Sequence, residues 1–172
     1  MKKIVTLFIF TFSAGILLAQ KDGLKKISIF NNQISVELPA SFRDAEYIGT
    51  DHWMMVNKNE MVRIMYQAVT SESALKISDN DIPDWTDKQL SIIKKDSLSS
   101  YIDDGIFLQD GKNIGFIKTS RKQKKGPDSF HLLFYISVDD KLLQFHFTCP
   151  LNSRKKWESI ADAIANSLRI KV

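Results

Sequence analysis

Two apolar runs, FHLLFYISV at 130–138 and LLQFHFT at 142–148, stand on either side of Asp139-Asp140 and restrict the fold more than any other feature of this chain. A two-residue loop at Asp139-Asp140 sets Val138 opposite Lys141. Every pair upstream is then fixed: Ile136 faces Leu143, Phe134 faces Phe145 and Leu132 faces Phe147. Apolar residues meet on one face down the whole ladder, an agreement that a slip of one residue would destroy. The other face takes His131, Leu133, Tyr135, Leu142, Gln144 and His146, and its half-apolar character predicts that something covers it as well.

Further hairpins are predicted along the chain. KISIF and ISVEL flank Asn31-Asn32, and Pro39 stops the second strand. HWMMV and MVRIMYQAV flank Lys58-Asn59, and IFLQ and NIGFIKTS flank Asp110-Gly111, the strongest short turn signal present. Two helices are available to cover a sheet. One is predicted from a cap at Asp84 to about Tyr101, with Trp85, Leu90, Ile93 and Tyr101 inward. The other follows Pro150, is capped by Asn152 or Ser153, and carries Trp157, Ile160, Ile164 and Leu168 on one stripe. A single α+β domain follows, a largely antiparallel sheet packed by two main helices.

The first twenty residues set the expected compartment. Lys2 and Lys3 precede an apolar run from Ile4 to Phe12, which turns small at Ser13, Ala14 and Gly15 before Ala19. Positive, apolar, small is the order of a secretory signal peptide. As a helix, the segment from Ile4 to Ala19 reaches about 24 Å, short of the roughly 30 Å of a bilayer core. Cleavage after Ala19 is expected, with Gly15 as the alternative site. Gln20 follows Ala19 where lipidation would require cysteine. The expected product, residues 20–172, is thus exported through the inner membrane to the periplasm or beyond, without a lipid. Losing Lys2 and Lys3 from 24 basic residues leaves 22 against 20 acidic ones, so the expected product is far less basic than the whole chain. The one cysteine, Cys149, cannot form an internal disulfide. In FHFTCPLN it reads as a small buried hydrophobe at the end of a strand.

The opening ISIFNNQISVELPASFRD and the closing VDDKLLQFHFTCPLNSRKKWESIADAIANSLRI resemble PsbP-like proteins, including the bacterial DcrB-like group. The shared elements are a strand pair ending in Leu38-Pro39, a strand ending Thr148-Cys149-Pro150, and a helix closing on Ser167-Leu168. The resemblance implies an antiparallel sheet sandwiched by helices, and a non-enzymatic accessory or binding module. It brings no catalytic residues and no cofactor.

No Gly-rich phosphate loop, GxSxG elbow or HExxH helix occurs in the sequence. The acidic pairs Asp103-Asp104 and Asp139-Asp140 are read as turn chemistry. Three features carry candidate chemistry. In DHWMMVNKNEMVRIMY, a turn at Lys58-Asn59 sets Val56 opposite Met61, Met54 opposite Arg63 and His52 opposite Met65, and places His52, Met54, Met61 and Met65 on one face, a soft donor set suited to copper(I). The competing reading is that the methionines fill irregular gaps beneath a helix. His131 and His146 are diagonal neighbours across the last hairpin, a pair that lacks a placed third ligand. Finally, 112–125 holds six Lys or Arg and no acid. There Lys118, Arg121, Lys122, Lys124 and Lys125 form a candidate surface for an acidic partner or, weakly, for anionic membrane. The competing reading is a solvated loop that guards a strand edge. Nucleic acid is not expected as a partner, because aromatic residues do not interleave with the charges. The reading that follows is an exported, non-catalytic protein acting by surface contact with another envelope or secreted component. Copper(I) binding on the 52–65 hairpin is second and an enzyme third.

Overall fold

Strands β8 (Ser129–Val138) and β9 (Lys141–Pro150) pair in the register the apolar pattern demands, with Leu132 facing Phe147, Phe134 facing Phe145, and Ile136 facing Leu143. Asp139 and Asp140 both adopt positive φ, as a tight two-residue hairpin requires. The Phe134 and Phe145 rings stack with centroids 4.6 Å apart. This computed structural model describes residues 23–46, 52–69 and 76–171. The expected signal segment, residues 1–19, lies outside the described residues.

The β8–β9 pair is the middle of a seven-stranded antiparallel sheet made of two meanders joined edge to edge. One meander is β3 (Arg43–Glu46), β4 (His52–Asn57) and β5 (Val62–Ala68), and it docks on β9. The other extends from β8 through β7 (Lys112–Arg121) to β6 (Ser99–Gln109) at the far edge. A separate three-stranded sheet is built from β1 (Leu24–Ile29), β2 (Ile34–Pro39) and the short β10 (Arg169–Ile170), with β2 in the middle. The sequence pattern anticipates the β1–β2 hairpin but not its separation from the main sheet. In the separate sheet β10, only two residues long, pairs with Ile34 and Ser35 of β2.

Helix α2 (Arg154–Asn166) lays Trp157, Ile160, Ala161, Ile164 and Ala165 against one face of the large sheet. There they join Ile64, Leu132, Phe134, Phe145 and Phe147, together with Ile34, Val36 and Leu38 of the small sheet, in the main core. Helix α1 (Ile82–Ile93) covers the opposite face at its β6–β7–β8 end. There Ile82, Trp85 and Leu90 pack with Ile117, Tyr135 and Leu142. The half-apolar second face is therefore covered, but only in part.

Four expectations are corrected. Helix α1 starts at Ile82 rather than at a cap on Asp84, because Ser78 and Asp81 close a capping box one turn earlier, with Ser78 N–H donating to Asp81 at 2.8 Å. It ends at Ile93, because Asp96 accepts hydrogen bonds from Leu98 N–H and the Ser99 hydroxyl and turns the chain into β6. Tyr101 is thus an exposed strand residue. Asp103 and Asp104 lie within β6 beside a bulge, not in a turn. The β4–β5 loop is longer than two residues: a short 3-10 turn occupies Lys58–Glu60 and Met61 is left-handed at φ 55°. Met54 therefore faces Met65 instead of Arg63, and His52 faces Gln67 instead of Met65. The shift is two residues, one strand period, so Met54 and Met65 keep to the same face, while Met61 leaves the ladder for the turn.

Candidate functional site

Where α1 stops short, the second face of the sheet opens into a groove of about 420 Å³. The ladder dictates which side chains meet there. Met54 pairs with Met65, and Met65 pairs across the β5–β9 junction with His146, so three soft donors lie side by side in one row. Direct cross-strand neighbours hold their Cβ atoms about 4.5–5.5 Å apart. In the adjacent row Arg63 pairs with Thr148, and Thr148 with His131. Met54 and Met65 are half-buried, while Met61 stands at the rim, 58% exposed. His52 occupies the next row of the ladder, and its side chain lies outside the described part of the structure.

The two histidines are in contact. Their rings stack at 5.0 Å between centroids, and His131 Nδ1 lies 2.7 Å from His146 Nε2. His131 Nε2 is 2.7 Å from Ser129 Oγ, which accepts from the Gln123 side-chain amide at 2.8 Å. One proton fits between the facing ring nitrogens. Burial lowers the pKa of both rings. His146 falls to about 3, pushed further by the neighbouring His131. His131 is lowered by burial and by the Arg121 charge. Both imidazoles are therefore neutral at physiological pH, each with one nitrogen lone pair to give.

Arg63, Lys125 and Gln123 edge the groove, and among the described residues no carboxylate lines it. Cys149 also borders the groove, but its thiol belongs to the main core. Burial, with a contribution from Glu158, pushes its pKa up to about 12. Among the described residues, no three of His, Cys, Asp and Glu come together as a metal site, so any donor set here must draw on thioethers.

The structure divides the basic run. Lys118 is not a surface residue: it lies inside β7 on the α2 side, 9% exposed, and pairs with Asp162 at 2.9 Å and Glu158 at 3.4 Å. Arg121, at the strand end, pairs with Asp96 at 3.3 Å. Lys122, Lys124 and Lys125 are exposed in the loop after β7, with Lys125 on the groove. The three sequence candidates thus meet in one place: two methionines of the hairpin, both histidines of the pair and the end of the basic loop. The meeting of Met65 with His146 depends on strands 81 residues apart in the chain, and no local signal reveals it.

An antiparallel sheet with one helix on each face and an open quadrant defines the class as an α+β sandwich with a surface groove. Neither a family model nor a curated protein matches the sequence. Solved structures do. The fold is similar to that of the PsbP protein CyanoP from Synechocystis sp. PCC 6803, with a TM-score of 0.59 and 11% identity over 87% of this chain and 94% of that one. It is also similar to LpqN, involved in cell envelope biogenesis of Mycobacterium tuberculosis, with a TM-score of 0.59 and 10% identity over 90% and 95%. A third match is PA94, a Pseudomonas aeruginosa protein of unknown function, at 0.55 and 11% identity over 87% and 98%. The chain has the PsbP-like fold that the punctuation of its sequence resembles.

Proposed function

We propose that this chain is an exported, non-lipidated and non-catalytic binding protein that works by surface contact with another component of the envelope or secreted milieu. Its working surface is the open quadrant of the large sheet and the basic loop beside it. The observation that carries this reading is the groove itself: helix α1 stops short of Met54, Met65, His131 and His146, which line the groove half-buried, and Lys125 flanks them. This face combines thioethers and imidazoles with a cationic and hydroxyl rim, and among the described residues no helix closes it. The signal-like order of residues 1–19 supports export. The similar fold of LpqN, a protein of cell envelope biogenesis, fits the same setting.

The test is capture of the partner from envelope fractions by the purified protein, repeated with Lys122→Glu/Lys124→Glu/Lys125→Glu. Loss of capture by the variant, and weakening of wild-type capture by salt, are expected. Capture that survives the charge reversal removes the loop from the contact. Finding the protein in the cytoplasm with residues 1–19 still attached ends the export part of the reading.

A further inference from the structure

We propose that the groove is a copper(I) site, in which the His131 and His146 imidazoles and the Met65 thioether take one soft monovalent ion, with the Met54 thioether next along the row. This deepens the binding reading above and rests on it for the site's accessibility. Met65, His146 and His131 come from three adjacent strands, β5, β9 and β8, so the sheet places them before any ion arrives. Met54, Met65 and His146 form one cross-strand row, and His131 sits diagonally from His146. The facing nitrogens of the two rings are 2.7 Å apart, so an ion that enters takes the place of the shared proton, which is then carried on His131 Nε2 and donated to Ser129 Oγ, and a small outward rotation of each ring makes room. Ser129 holds the far nitrogen of His131 at 2.7 Å, and Gln123 holds Ser129, which fixes that ring's orientation as outer partners of metal-binding imidazoles do.

The chemistry selects the ion. Calcium, magnesium and manganese want oxygen donors, and among the described residues no carboxylate lines the groove. Zinc takes nitrogen, thiolate and carboxylate, and the only thiol nearby is turned into the core. Thioether and imidazole without charge are the donors that suit copper(I). The cationic rim of Arg63 and Lys125 adds a repulsion that grows with ionic charge, which favours a monovalent ion over a divalent one. Met61, exposed at the rim on a left-handed turn, stands at the entrance.

The experiment is anaerobic competition for copper(I) between the purified protein and the coloured chelator bicinchoninate. Wild type is expected to withdraw one equivalent. Met54→Leu/Met65→Leu, which keeps the volume and the fold, is expected to hold it about tenfold more weakly or worse, as is His131→Gln, with circular dichroism unchanged. An excess of zinc is expected to leave the copper in place. Failure of wild type to withdraw copper, equal retention by the methionine variant, or displacement by zinc each overturns the proposal. Partner capture by the same preparations, abolished by reversing Lys122, Lys124 and Lys125, tells a missing copper site apart from a missing binding function.

Discussion

Lys118 Nζ on β7 lies 2.9 Å from both carboxylate oxygens of Asp162 on α2, and this bond ties the helix to the sheet. The lysine side chain is 11% exposed and Asp162 37%. Removing the cation leaves Asp162 and Glu158, one turn apart, facing each other. Breaking a fully buried pair costs about 3–5 kcal/mol, so Lys118→Ala at this half-wet position is expected to cost about 2 kcal/mol. Lys118→Met/Asp162→Leu removes both charges and is expected to recover most of that loss. Chemical denaturation of the three proteins checks it. A Lys118→Ala protein as stable as wild type would show that the pair contributes nothing.

The seat of α1 depends on Gly115. A β-carbon there would fall 1.9 Å from Thr86 Oγ1 and 3.1 Å from Thr86 Cβ, on a helix whose Thr86 hydroxyl donates to Ile82 O at 2.8 Å. Gly115→Ala must therefore push α1 away from β7, at an expected cost of about 2 kcal/mol. Gly115→Ala/Thr86→Gly clears the clash, and the two substitutions are expected to be non-additive by about 1 kcal/mol. Additive losses would place the helix elsewhere.

Much of this architecture is legible in the sequence because it is set by short-range chemistry. The Asp139-Asp140 loop fixes the β8–β9 ladder, and Asp110-Gly111 fixes β6 against β7. The stripe through Trp157, Ile160 and Ile164 gives α2. What escapes is long-range. The junction of β5 with β9 brings Met65 to His146, and nothing local specifies it. The fate of Lys118 is intermediate. It shares the strand alternation of Ile114 and Phe116, and a cation on an apolar face calls for an acid across from it. Glu158 and Asp162, four apart on one helix flank, are that acid pair. The pattern is present in the sequence, but only the packing of α2 shows which strand it answers. The acids of 103–104 mislead for the opposite reason, since β6 accommodates them with a bulge.

The Asp139-Asp140 turn offers a stabilising change. Both residues sit at positive φ, 51° and 56°, a conformation that asparagine or glycine adopts more readily than aspartate. Asp139 accepts a hydrogen bond from the Gln33 side chain and should stay, whereas Asp140 contributes its backbone carbonyl to Ile77 N–H at 3.1 Å, which glycine preserves. Asp140→Gly is expected to add about 0.5 kcal/mol, the relief of left-handed strain exceeding the entropy of the freer unfolded chain. Thermal melts resolve this as a rise of about 1–2 °C. A lower melting temperature would count against strain at that position.

Cys149 is the last test, because it separates core from groove. The residue is 2% exposed, and burial lifts its pKa to about 12, well above the ordinary thiol value of about 8.5. The thiolate is the reactive form, so at about pH 8 the folded protein holds roughly a thousandth or less of the thiolate that the unfolded chain holds. Iodoacetamide is therefore expected to label the native protein at least about a hundredfold more slowly than the protein in concentrated guanidinium. Raising the pH should speed labelling of the folded form, since the titration lies far above neutrality. Non-reducing gels after air oxidation are expected to show no disulfide dimer. Because the thiol lies on the α2 side of the sheet, copper(I) in the groove should leave the labelling rate of Cys149 unchanged. Rapid native labelling would mean the thiol reaches the groove surface, and the donor set there would then have to include sulfur from Cys149.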